Sequence, residues 1–193
     1  MTNYLLSIDP SIKNTGFTLW EKRCHVIDCE NNNCIELKLW TPTWIKSYSF
    51  EKFKNMNPTF DEQIIFELFM IGEIGDFDNM NIIIERGTFH SKNGIGYETQ
   101  EHLRGFIAGQ FNKLLTKNML ISPSEWKKWY KEQQELLLPI YSSYSKINKW
   151  DKDFSLMFAK SLQEKYKWNI EIKDHDQADS LLMGWYYLNK ENK

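Results

Sequence analysis

The chain has 193 residues, 41% hydrophobic and 26% charged. That is ordinary soluble-protein composition, enough for one buried core and short for two, so 1–193 reads as a single domain. Membrane spans are excluded by the absence of any long apolar stretch. The net charge of −2 gives no global basic signature, and three cysteines are too few for a disulfide framework.

The first expected element is a short apolar strand over 4–9 that ends on Asp9. Asp-Pro-Ser breaks it, Asn14-Thr15-Gly16 is a turn signal, and "GFTLWE" resumes as a second strand, giving a hairpin. The N-terminal apolar run is too short for a leader and lacks a basic start. The expected setting is therefore cytoplasmic, or a nucleus or viral factory in a eukaryotic host. Cys24, Cys29, Cys34 and His25 supply four possible zinc ligands. Their spacing fits no zinc pattern, and the adjacent Cys24 and His25 would point to opposite sides of a strand.

A third strand is expected from Cys34 to Trp40, followed by a polar, irregular stretch to Pro58. Thr59 and Glu62 then form a capping-box pattern opening a helix with an apolar stripe at Ile64, Ile65, Leu68, Phe69 and Ile71. "NIIIERG" is apolar on both faces, which predicts a central parallel strand ending at Glu85. "YETQEHLRGFIAGQFNKLLTK" predicts a long helix with Leu103, Phe106, Ile107, Phe111, Leu114 and Leu115 towards the core. "NMLISPSEW" predicts a short strand ended by Pro123. The segment from Lys127 to Asp153 is read as a short helix broken at Pro139 and then a Ser/Tyr/Lys loop. "FSLMFAKSLQEKYKW" and "DQADSLLMGWYYLNK" predict the last two helices. Together these make a mixed α/β layer architecture around one sheet.

Charge is unevenly spread. From Gln110 to Lys167 there are eleven Lys against six Asp or Glu, a local balance of +5. This describes a solvated helical face or a phosphate-contacting surface. The 15% aromatic share, with eight Trp, fits a core, a DNA-stacking surface or an interface.

Acids end the first strand, at Asp9, and the central strand, at Glu85. Two more, Asp176 and Asp179, open the last helix three residues apart and so share a face. Either of these two taken alone fits helix capping. Sites in parallel α/β sheets form outside the carboxyl ends of strands, and clustered carboxylates repel unless hard cations neutralise them. Two metal ions among such acids suit phosphoryl chemistry.

The segments "SIDPSIKNTGF", "IIIERGTFHSKNG", "HLRG", "ISPSEWKK" and "DHDQADSLLMG" resemble, in order, the RuvC-type Holliday junction resolvases of the RNase H-like superfamily. The resemblance implies an α/β fold with a mixed five-stranded sheet flanked by helices. It further implies a homodimer that binds four-way DNA junctions and nicks two strands of like polarity, leaving 5′-phosphates. Asp9, Glu85, Asp176 and Asp179 match the family's acids, implied to hold two Mg2+ per site, with Mn2+ as a substitute. Phe89 matches the wedge that stacks on a base at the junction centre. Lys92, Lys127 and Lys128 match positions near the DNA backbone. The sequence departs from bacterial members in a Glu85-to-Phe89 spacing one residue longer, in the polar insertion before Pro58 and in "WYKEQQELLLPIYSSYSKINKW". The richness in Lys, Asn and Ile is more like viral or phage members.

Three alternatives remain at this level. Another RNase H-like nuclease, cutting flaps or RNA–DNA hybrids, would carry the same acids. A noncatalytic junction-binding protein would keep the fold. An ATPase of the actin and sugar-kinase group fits poorly, because "DPSIKNTG" has Pro and Ser where a phosphate loop wants glycines.

Overall fold

The computed structural model describes residues 4–11, 13–27, 35–49, 80–87, 94–133 and 150–190. The strands are β1 (Tyr4–Asp9), β2 (Thr15–Ile27), β3 (Ile35–Tyr48), β4 (Met80–Glu85) and β5 (Leu120–Ile121). The helices are α1 (Gly94–Gln110), α2 (Pro123–Glu132), α3 (Lys152–Tyr166) and α4 (His175–Asn189). The strands form one sheet in the order β3-β2-β1-β4-β5, with β1, β2 and β3 antiparallel and β4 and β5 parallel to β1. This is the mixed five-stranded sheet flanked by helices expected from the sequence. No helix among the described residues is long and apolar enough to cross a membrane.

Strand alternation divides the core. Leu6, Ile8, Ile82 and Ile84 point to the face covered by α1, where Leu103, Ile107 and Phe111 are buried. Leu5 and Ile83 point to the opposite face, covered by α2, α3 and α4. By the same alternation Asp9 and Glu85 belong to this second face. All eight tryptophans serve the core: Trp20, Trp44, Trp126 and Trp168 are buried, and Trp40, Trp129, Trp150 and Trp185 pack against it.

The α4–sheet contact contains a polar seam. Ser7 Oγ donates to the Ser180 carbonyl at 2.8 Å, Trp20 Nε1 donates to Ser7 Oγ at 3.0 Å, and the Thr18 and Ser180 hydroxyls meet at 2.8 Å. Gly184 admits this approach, since a Cβ there would stand 2.2 Å from Trp20 Nε1.

Three elements differ from the sequence expectation. Strand β3 runs on to Tyr48, through the stretch read as irregular. Pro42 is tolerated because β3 is the edge of this sheet. The pairing steps from Leu19↔Trp44 to Trp20↔Pro42, so Thr43 is an extra residue at a bulge. Helix α2 begins at Pro123 rather than after it, with Pro in the first turn where its missing N–H is harmless. Leu114 is not core but 86% exposed. The helix has ended at Gln110, and Asn112 at φ 53° turns the chain away. The helix expected near 59–71, Cys29, Cys34, and the segment around Pro139 lie outside the described residues.

Candidate active site

Strands β1 and β4 run parallel in the register Ile8↔Ile84. The next pair along is Asp9 and Glu85, on neighbouring strands about 4.8 Å apart and on the same face. Burial, then the charges of Glu85, Asp179 and Asp176, hold the Asp9 carboxyl well above the usual carboxylate range.

The third acid comes from α4. Its N-cap is Asp174, whose side chain accepts from Gln177 N at 2.9 Å. Capping is therefore done by Asp174, two residues before Asp176, and Asp176 and Asp179 are left for other work. Asp179 Oδ1 is buried with no hydrogen-bond partner among the described residues. Burial raises this carboxyl to about 6 against the opposing pull of Lys127. Asp176 Oδ2 accepts from Asn14 Nδ2 at 2.8 Å and lies 3.4 Å from His175 Nε2. Asn14 thus joins the β1–β2 turn to the start of α4. Gly16, in the same turn, is pressed against that helix: a Cβ would stand 1.9 Å from the Asp176 carbonyl oxygen.

Glu85 is held on three sides. Trp126 Nε1 donates to Glu85 Oε1 at 3.0 Å, and Lys127 Nζ lies 3.9 Å from the same oxygen. Arg104, only 2% exposed, donates from Nε to the Glu85 carbonyl at 2.7 Å and pairs with Glu101 at 3.0 Å. Arg104 therefore pairs within its own chain. Lys127 Nζ also lies 3.8 Å from Asp179 Oδ2, tying α2 to α4. Lys128 points outward, its side chain 77% exposed and 3.8 Å from Glu132. Phe89 and Lys92 lie outside the described residues.

Asp9, Glu85 and Asp179 thus converge from three separated parts of the chain, with Asp176 at the edge. The donor set is all hard oxygen. Burial and then mutual repulsion lift Asp9, and one buried Asp179 oxygen lacks a partner among the described residues. These features fit a hard divalent cation in donor type and electrostatics. As they stand, with Lys127 between Glu85 and Asp179, no three Asp, Glu, His or Cys among the described residues form a ready metal cluster. Asn14, Trp126 and Arg104 complete the surroundings. All three lie in segments that the sequence singles out ("SIDPSIKNTGF", "HLRG" and "ISPSEWKK"), but no sequence signal pairs them with the acids.

Fold and site together describe a mixed five-stranded α/β domain with acids at the carboxyl ends of two adjacent strands and on the facing helix. No family model matches the chain, and no curated protein matches it in sequence. Among solved structures it is similar to Thermus thermophilus RuvC in complex with a Holliday junction substrate. There the identity is 9%, the TM-score 0.48, and 96% of this chain and 95% of the other are covered. The fowlpox virus resolvase, solved with substrate Holliday junction DNA, gives 15% identity and a TM-score of 0.40 over 98% of this chain and 99% of the other. The yeast mitochondrial Holliday junction resolvase gives 14% and 0.38 over 94% and 77%. At such identities and scores the likeness decides nothing, and the chemistry has to come from the side chains.

Proposed function

We propose that the chain is a metal-dependent, structure-selective endodeoxyribonuclease that resolves four-way DNA junctions by paired nicks, working as a homodimer. The observation that carries this reading is the side-by-side placement of Asp9 and Glu85 at parallel strand ends, faced by Asp179 from α4.

Asp9, Glu85, Asp176 and Asp179 would hold two Mg2+. When bound, the ions neutralise the scissile phosphate and activate the attacking water. Trp126 orients the Glu85 carboxylate through its indole N–H. Asn14 orients Asp176 in the same way. Arg104 fixes the Glu85 backbone, so the strand end cannot splay as charge is drawn in. Lys128, on the exposed side of α2, would meet a DNA phosphate. Phe89 as the base-stacking wedge and Lys92 as a further phosphate contact complete the proposal by resemblance.

The test is cleavage of a synthetic four-way junction with Mg2+ and with EDTA. Symmetric paired nicks that need the metal are expected. Asp9→Asn and Asp179→Asn should each abolish cutting while junction binding persists. Efficient cutting of an RNA–DNA hybrid alone would replace the resolvase reading with an RNase H one.

A further inference from the structure

Lys127 stands in a place that DNA contact alone does not explain. Its Nζ is 3.9 Å from Glu85 Oε1 and 3.8 Å from Asp179 Oδ2, so one ammonium serves an acid from a strand and an acid from a helix. The side chain is only 26% exposed. The Trp126 ring lies behind it, 4.7 Å from Nζ to the ring centroid, while the Trp126 indole N–H binds the same Glu85 oxygen. The ammonium therefore occupies the approach that a cation bridging Glu85 and Asp179 would use.

We propose that Lys127 is a built-in counterion of the metal-free site, competing with the incoming divalent ion for Glu85 and Asp179. Loading the site releases its ammonium to the phosphate of a bound strand. This rests on the metal-dependent reading above and adds an order of events to it. A single positive charge and a divalent ion a few ångströms apart repel strongly at protein-like dielectric. Both cannot keep the same two carboxylates. Lysine suits the exchange because its point charge rides on a flexible stem, whereas an arginine fork would be held in a fixed geometry.

Two measurements on the full chain test this. In the first, Mn2+ alone is titrated calorimetrically, without DNA and at low ionic strength. Lys127→Met should bind Mn2+ roughly tenfold tighter than wild type, while Lys131→Met, a change on the exposed side of the same helix, should match wild type. Unchanged, weaker or absent binding in Lys127→Met overturns the proposal. In the second, unfolding in EDTA follows a double-mutant cycle with Asp179→Asn. Lys127→Met should lower the midpoint in the wild-type background and lower it less once Asp179 is neutral, since only the Glu85 contact then remains. Additive effects overturn the proposal. Both effects seen in a chain that cuts no branched DNA would retain the counterion and remove only the nuclease reading.

Discussion

Trp126 donates its indole N–H to Glu85 Oε1 at 3.0 Å across 41 residues of sequence. Trp126 is itself fully buried, in edge contact with Tyr130 and Trp150. A rigid aromatic cluster thus sets the angle of the Glu85 carboxylate. Trp126→Phe keeps most of the packing and removes the donor. A bond to a charged acceptor is worth about 1.5–3 kcal/mol, so single-turnover junction cleavage should fall roughly tenfold, equivalent to about 1.4 kcal/mol of barrier. Urea denaturation should show a still cooperative fold. Cleavage at the wild-type rate would mean that Glu85 needs no such guide.

Asp9→Asn removes one charge from a buried, mutually repelling pair. The metal-free variant should be more stable than wild type at pH 8, while Mg2+-dependent cleavage is lost. Denaturant midpoints in EDTA measure the first effect and gel assays the second. A variant less stable than wild type would show that Asp9 serves the fold.

The raised carboxyls fix the direction of a pH effect. Asp179 titrates near 6 in the fold against 3.8 for an ordinary aspartate, and Asp9 is shifted in the same sense. Between those values the native state holds more protons than the unfolded chain, so stability falls as pH rises. For Asp179 the loss begins near pH 4 and is complete above about pH 6, with roughly 3 kcal/mol as its upper bound, and Asp9 adds to it in the same direction. Urea midpoints in EDTA should be lower at pH 7.5 than at pH 5.5, and Asp179→Asn should flatten the difference. Mg2+ should raise the midpoint at pH 7.5 far more than at pH 5, because protonated carboxyls are poor ligands.

Gly16→Ala should be damaging although Gly16 carries no chemistry. The added Cβ would meet backbone, with the Asp176 carbonyl oxygen at 1.9 Å and its carbon at 2.4 Å, so no side chain can move aside. The turn or the start of α4 must shift, at a cost above about 2 kcal/mol. Both the denaturation midpoint and the cleavage rate should drop, the second further than stability alone accounts for.

The expected acids were legible because each stands at a discontinuity: Asp9 and Glu85 end apolar strands, and Asp176 and Asp179 open a helix. The central strand was legible from its unbroken apolar run. Strand β3 beyond Pro42 was hidden because proline reads as a breaker, and only the edge position and the bulge at Thr43 make it acceptable. The start of α2 was hidden for a related reason, since Pro123 both ends a strand and opens a helix. Partners such as Asn14 for Asp176 or Trp126 for Glu85 leave no periodic trace. Their pairing is decided by tertiary approach, 162 and 41 residues apart in sequence. The capping choice also escaped a local reading: Asp174, Asp176 and Asp179 are all plausible caps, and Asp174 alone is seated at the helix start.

The seam of Ser7, Thr18, Trp20 and Ser180 lies beside Asp179 in the middle of an apolar interface. Oily surfaces slide with little change in energy, but these hydrogen bonds are satisfied at one axial setting of α4 only. Moving the helix by a single residue, about 1.5 Å, would strand several buried donors and acceptors at about 1–3 kcal/mol each. The seam is a detent: it clicks the helix to one depth, so the carboxylate from α4 meets the two strand-end acids at a distance set by folding rather than negotiated with each arriving ion.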